Sequence, residues 1–311
     1  MKKILLAAAA ALAMVSCSQN EVDGIDNGKQ DARKEIKFGY SPVTRSTEIA
    51  TGNFNHFVAY AYAGNDYNNT AGNLIIDGGI FNKPEKGDWT GDKNYYWPET
   101  GNLSFLGYNL NDATYNTDGA YPTLGYTIKS TIEKQEDLLV SKLLDQPYST
   151  TAISLPFKHA LSQVLFTVEG DDADLTYTVE KIEINQVNSV GTYDYQNEKW
   201  TTTSTPADYI IAPTQNVEVT GKTPESFTDA NGVAILMPQD VTDKTISITY
   251  SAQYTNGAAV KVESPATVTL KGSWTPGKKT TYKLVLSAAQ IKLAGTENTA
   301  WGDDEVTNNQ Q

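Results

Sequence analysis

From residue 35 onward the chain alternates apolar and polar residues with a period of two, and this pattern most narrows what it can fold into. Ile246, Ile248 and Tyr250 are interleaved with Ser247 and Thr249, and Tyr282, Leu284 and Leu286 share a face opposite Lys283. Side chains alternate across a strand, so each run builds a half-buried antiparallel strand; a helix would repeat its apolar positions every three or four residues. Further strands are expected over 57–62, 103–108, 162–168, 177–184, 233–237 and 260–270. Pro265 marks an edge or a bulge in the last of these, because it has no N–H for the ladder. The stretch 132–144 reads either as a helix or, around Asp137-Leu138-Leu139-Val140, as a strand. Thr, Tyr, Val and Ile are enriched, and Gly, Asn and Asp cluster between the runs, so the fold class is all-β with antiparallel sandwiches. An acidic break at 169–174 divides the expected domains into 46–172 and 173–311.

The first residues follow different rules. Met1-Lys2-Lys3 is a basic start, residues 4–15 are continuously apolar, and Ser16-Cys17 follows at once. This is a secretory signal peptide over 1–16, too short to span a bilayer, which takes roughly 20 residues. Met14-Val15-Ser16-Cys17 resembles a bacterial lipobox. Cleavage between Ser16 and Cys17 would leave Cys17, the one cysteine of the chain, as an acylated N-terminus handled by the lipoprotein export machinery. The other reading is an ordinary signal peptide with a chance cysteine. A polar tether follows to Lys34.

Residues 35–40 then form a short alternating strand with Ile36, Phe38 and Tyr40 on one face. The next seven, Ser41-Pro42-Val43-Thr44-Arg45-Ser46-Thr47, are polar and contain proline, the kind of exposed link that is nicked easily. Arg33 and Arg45 are the only arginines of the chain. A cut between Arg45 and Ser46 would release one complete strand together with the lipid anchor, so 17–45 reads as a tether and removable first strand. A cut after Arg33 would leave the strand in place. Three apolar side chains at roughly 1.5–3 kcal/mol each make the loss about 5–9 kcal/mol, against about 5–15 kcal/mol for a whole domain. The same residues also fit a permanent first strand followed by an ordinary loop arginine.

Composition argues against several other functions. The chain carries 24 Lys and Arg against 37 Asp and Glu, a formal charge of −13, which nucleic-acid phosphates would repel. Two histidines and one cysteine give no disulfide framework, no cysteine-built metal site and little material for imidazole catalysis. His159 is expected to be structural, bonded to backbone, and no nucleophile-elbow pattern accompanies it. The pairs Asp171-Asp172 and Asp303-Asp304 are expected in solvated turns, since adjacent strand residues point to opposite faces. The five tryptophans and 18 tyrosines at strand spacing are expected in cores before any sugar-stacking platform. No catalytic residue, metal ligand or cofactor is assigned.

Five segments in order resemble the fimbrillin (Mfa-like) family of Bacteroidota pilus subunits. They are Tyr95-Tyr96-Trp97-Pro98 followed by Leu103-Ser104-Phe105; Leu155-Pro156-Phe157-Lys158-His159-Ala160-Leu161-Ser162; Leu236-Met237-Pro238-Gln239; Trp274-Thr275-Pro276-Gly277; and Trp301-Gly302. Glu21 and Asp23, just behind Cys17, resemble the surface-export signal of Bacteroidota lipoproteins. The resemblance implies two transthyretin-like β-sandwich domains in tandem, outer-membrane lipoprotein export, an arginine-specific processing protease, and assembly with other fimbrial subunits into a type V pilus by donor-strand exchange. It also implies a donor strand in the C-terminal tail. Ile291 and Leu293 alternate suitably there, but Gly295, Glu297 and Thr299 continue that face poorly before Trp301. The expected function is a structural and adhesive subunit of surface fimbriae meeting a host or bacterial surface ligand. The alternative is a permanently lipidated, monomeric surface module that binds glycans or a host ligand.

Overall fold

A computed structural model of the chain describes residues 34–39, 54–70, 72–227 and 233–301. Apart from one 3₁₀ turn at Ile132–Lys134, the regular elements among the described residues are strands, gathered into four sheets. The first sheet runs Thr90–Gly91, Leu74–Asn82, His56–Ala63, Leu103–Tyr108, Leu139–Gln146, Phe157–His159 in spatial order, antiparallel throughout. A small second sheet runs Lys199–Thr202, Val190–Asp194, Thr123–Thr127, Thr114–Asn116. The third is built on the long pair Leu175–Asn188 and Thr245–Tyr254. In the fourth, Lys278–Leu286 lies between a parallel neighbour, Ser162–Gly170, and an antiparallel one, Ile291–Ala300.

The period-two pattern lands where it should. Ile246, Ile248, Tyr250, Tyr282, Leu284 and Leu286 are all buried. Three stretches differ in detail. Residues 260–270 are not one strand: Ala259–Val260 and Ala266–Thr269 are separate, and Pro265 stands in the break, as a residue without an N–H must. Residues 132–144 are a turn followed by the strand Leu139–Gln146. The acidic run 169–174 covers the end of Ser162–Gly170 and the short link, 171–174, to Leu175–Asn188, and both strands pack into one core.

The apolar side chains gather into two clusters, and the first sheet lies between them. From His56–Ala63, Phe57, Ala59 and Ala61 enter the smaller cluster, while Val58 and Tyr62 enter the larger. All six residues of Leu103–Tyr108 are buried, with Leu103 and Phe105 toward one cluster and Leu106 and Tyr108 toward the other. Buried Ser104 is tolerated because its hydroxyl donates to the Gly64 carbonyl at 3.1 Å and accepts the Asp145 amide at 3.1 Å, which satisfies a group that would otherwise cost about 1–3 kcal/mol. Strands from both sides of residue 172 share the small second sheet and the larger cluster.

Candidate functional site

The smaller core contains the segment 34–39. Ile36 and Phe38 are 3% and 1% exposed, which is what alternation with Glu35 and Lys37 demands. The Phe38 ring stands edge-on to three others, Phe57, Phe81 and Phe105, with centroids 5.5, 4.7 and 5.6 Å away. Aromatic rings favour this arrangement, because the positive edge of one meets the negative face of the next.

Five backbone hydrogen bonds hold the segment. On one side the Ile36 amide donates to the Tyr95 carbonyl at 2.7 Å, and the Trp97 amide donates to the Lys34 carbonyl at 2.8 Å. The Gly39 amide donates to Ile153 at 2.9 Å, and the Ile153 amide donates to Lys37 at 2.7 Å. Trp89 supplies the fifth, donating to the Phe38 carbonyl at 2.8 Å. Pairing with the walls amounts to single bridges, Glu35 antiparallel to Tyr96 and Phe38 parallel to Ile153, so the segment sits in a slot lined by irregular chain. At its start, the Lys34 ammonium lies 5.5 Å from the centroid of the Tyr148 ring. At its end, a Cβ on residue 39 would come within 3.2 Å of the Ala152 Cβ, and this close approach suits glycine.

Of the three anchors expected from the sequence, Ile36 and Phe38 are buried. Tyr40, Arg45, Ser46, Ser16 and Cys17 lie outside the described residues, as do Arg33 and Asp303-Asp304. The walls could not be read in advance, because Trp89 and Ile153 belong to no periodic run. The Tyr95-Tyr96-Trp97 motif was visible, although nothing in it announced a strand seat.

The tail lies at an edge of the fourth sheet. Ile291–Ala300 pairs antiparallel with Lys278–Leu286 along its whole length, with a register shift between Lys283 and Leu284. Ile291 is buried and Leu293 half-buried, but residues 296–299 are exposed. The poor continuation beyond Leu293 is thus a bulged edge strand with little to bury. Trp301 then turns back into the core, 7% exposed, and stacks face to face on His159 with centroids 4.2 Å apart.

That stack belongs to a junction where the sequence motifs meet. The Trp301 amide donates to the Gly277 carbonyl at 2.9 Å, and the Gly277 amide to Leu161 at 2.9 Å. Ser162 Oγ donates to Thr275 at 2.6 Å, the Trp200 indole N–H to Ala160 at 2.6 Å, and the Trp274 amide to Gln239 at 2.9 Å. His159 packs into this junction, and its Nδ1 lies 2.6 Å from Asp137 Oδ2, a carboxylate partner that the sequence did not suggest. His56 has a separate partner, Asn111 Oδ1 at 3.1 Å. Asp171 accepts from the Tyr177 hydroxyl and Asp172 from the Asp174 amide, as turn carboxylates do. Among the described residues no three His, Cys, Asp or Glu side chains gather to hold a metal, and no helix is long and apolar enough to cross a membrane.

The aromatic residues pack chiefly on one another. Between the first and second sheets Tyr60 stacks on Tyr115 at 3.8 Å, the Tyr62 and Tyr115 hydroxyls lie 3.1 Å apart, and Tyr195 donates to the Gly107 carbonyl at 2.9 Å. Burial pushes the phenols of Tyr62, Tyr209 and Tyr282 up to about 12. In the unfolded chain they ionise at about 10. Below that both states keep the protons; above it only the native state does, so stability should be lost as pH rises through the window from about 10 to about 12. Denaturant melts at stepped alkaline pH should show this fall, with tyrosinate absorbance from these three rings arriving only near its upper end.

The chain is thus all-β, with motif residues at packing junctions and an extended segment seated among irregular chain. This chain belongs to the fimbrillin-like family, whose sequence profile matches residues 44–301. The fold is similar to that of a fimbrial protein from Bacteroides vulgatus, with a TM-score of 0.70 at 16% identity over 86% of this chain and 99% of that one. It is also similar to a proposed cell adhesion protein from Bacteroides ovatus, with a TM-score of 0.56 at 13% identity over 88% and 99%. A third likeness is to a proposed cell adhesion protein from Bacteroides uniformis, with a TM-score of 0.54 at 16% identity over 87% and 98%. No curated protein matches the chain.

Proposed function

We propose that the chain is a structural and adhesive subunit of a surface fimbria, exported to the outer membrane as a lipoprotein through Cys17, trimmed between Arg45 and Ser46, and joined to its neighbour by donor-strand exchange. The observation that carries this reading is the seat of residues 34–39. Its occupant is a short segment holding two buried anchors, roughly 3–6 kcal/mol of apolar burial, and five backbone hydrogen bonds. The proposed cut lies six residues beyond Gly39. Once the link is severed, the segment is held only by contacts that another extended chain can reproduce: backbone pairing for affinity, alternate side chains in pockets for selection.

The partners are other fimbrial subunits, an arginine-specific protease, the lipoprotein export machinery, and a host or bacterial surface ligand. The tail is the donor in this scheme. Its last strand lies at a sheet edge and buries little beyond Ile291 and Trp301, so it leaves at smaller cost than a central strand. N-terminal sequencing of filaments sheared from the cell surface tests the processing step. Subunits beginning at Ser46 are expected; filaments whose subunits begin at Cys17 would overturn it.

A further inference from the structure

Aromatic side chains form an unbroken ladder between the second and first sheets, and it ends on a phenol placed to give up its proton. On the side of the second sheet Trp200 meets Tyr193 with centroids 5.5 Å apart, Tyr193 meets Tyr195 at 5.3 Å, and Tyr195 meets Tyr115 at 6.0 Å. The hydroxyls of Tyr115 and Tyr62, 3.1 Å apart, make the crossing to the first sheet. Tyr62 then meets Tyr67 at 4.7 Å, and Tyr67 meets Tyr121 at 5.2 Å. Along the middle of the ladder the phenol protons have nowhere to go. Tyr62 and Tyr115 face each other's hydroxyls, Tyr195 donates to the Gly107 carbonyl at 2.9 Å, and among the described residues the buried Tyr67 hydroxyl has no partner. A carbonyl or a second phenol is too weak a base to take such a proton. Half-buried Tyr121 donates instead to the Asp66 carboxylate at 2.6 Å, the length of a charge-assisted hydrogen bond, and Asp66 is exposed to water. Burial first, then the carboxylates of Asp66, Asp194 and Glu198, hold the Tyr121 phenol above its ordinary range, and the same negative potential favours loss of an electron from the ring. The Lys142 ammonium, 5.3 Å from the Tyr121 centroid, and Lys158, paired with Glu198, offset part of that field. What sets Tyr121 apart is the base beside its hydroxyl.

We infer that the ladder relays oxidising equivalents and that Tyr121 is their outlet. A one-electron oxidant of the carbonate- or azide-radical class takes an electron from half-buried Trp200 and is itself reduced to carbonate or azide. The indole N–H is bonded to the Ala160 carbonyl at 2.6 Å, which cannot accept its proton, so Trp200 is left as a radical cation. Rings in contact exchange electrons readily, and electrons pass ring by ring toward Trp200. Tyr121 supplies the last of them and loses its hydroxyl proton to Asp66 in the same step. The products are a neutral Trp200, a neutral phenoxyl radical on Tyr121 and a protonated Asp66, which returns its proton to water. The hole does not settle on the intermediate phenols, because none of them has a base to take its proton. A diffusible reductant of the ascorbate class then reaches Tyr121 and gives back one electron and one proton. The buried rings come through unmodified.

Pulse radiolysis of the full chain in azide solution tests the relay. Azide radicals oxidise indoles first, and indole and phenoxyl radicals absorb at separate wavelengths, so transfer from one to the other is read directly. A transfer phase independent of protein concentration is expected. It should be absent from Trp200→Phe, interrupted in Tyr115→Phe, which keeps the ring but removes its ready oxidation, and slowed by about a hundredfold in Asp66→Asn, the lower end of what a positioned proton acceptor contributes. Asparagine keeps an oxygen for the Tyr67 amide and the Tyr121 hydroxyl, both of which Asp66 accepts, and the site is exposed, so this variant should melt with the unchanged protein. A spin trap added after the pulse, with the adduct mapped by peptide mass spectrometry, should place the radical on Tyr121. Adducts on exposed Tyr148 and Tyr254 with none on Tyr121, or a Trp200-dependent phase that ignores Asp66→Asn, would overturn the outlet. If no phase depends on Trp200, the relay itself falls.

Discussion

Phe38→Ala should cost the uncleaved protein about 3–5 kcal/mol, the range for deleting a buried phenyl ring. The site gives little scope for collapse, because the ring is held by three others whose own positions are fixed in the first sheet. A typical whole-domain stability is about 5–15 kcal/mol, so the variant should melt roughly 10 °C lower. Chemical denaturation read by circular dichroism measures the loss. A cost below about 1 kcal/mol, the level of Ile36→Val, would mean that the segment merely rests on the core. Such a result would also remove the energetic basis for exchange, since a strand that contributes little leaves little for a newcomer to restore.

A loss of similar or greater size is expected from Trp274→Ala in the larger core. Trp274 is 2% exposed, and its indole N–H donates to the Tyr282 hydroxyl at 2.9 Å. Deleting it removes a large ring, about 3–5 kcal/mol, and leaves a buried hydroxyl short of a partner, about 1–3 kcal/mol more. Trp274→Phe separates the two contributions, keeping most of the ring while losing the hydrogen bond. Although Phe38 and Trp274 sit in different clusters, both substitutions should shift one common unfolding transition. The strands His56–Ala63 and Leu103–Tyr108 supply side chains to both clusters from opposite faces, so neither core can melt without loosening the sheet that the other is built on. Two separate transitions, each moved by only one variant, would refute that coupling.

The parts of this architecture that were legible in the sequence are those that repeat. Strand positions such as 246–250 and 282–286, and the pair Ile36 and Phe38, follow from alternation alone, because one buried face imposes a period of two. Three things were not legible, each because it depends on residues distant in sequence or lacking a period. The seat's walls come from irregular chain at 89, 95–97 and 153. The parallel pairing of Ser162–Gly170 with Lys278–Leu286 joins segments more than a hundred residues apart. Asp137 as the partner of His159 came from the one stretch, 132–144, whose secondary structure was ambiguous. The five family-like motifs, by contrast, were visible before their purpose was: four of them meet at the junction around Gly277, and Tyr95-Tyr96-Trp97 lines the strand seat.

The geometry of that seat bears on mechanical load. The hydrogen bonds to residues 34–39 run crosswise to the segment and fall on both of its sides, to Tyr95 and Trp97 on one and to Ile153 on the other. In a fibre whose joints reuse the seat, tension along the inserted strand would strain all of these bonds at once, in shear, where a hairpin pulled at one end peels them singly. The Phe38 pocket would then act as a detent, because sliding by one residue would pull the anchoring ring out of the box of rings that holds it.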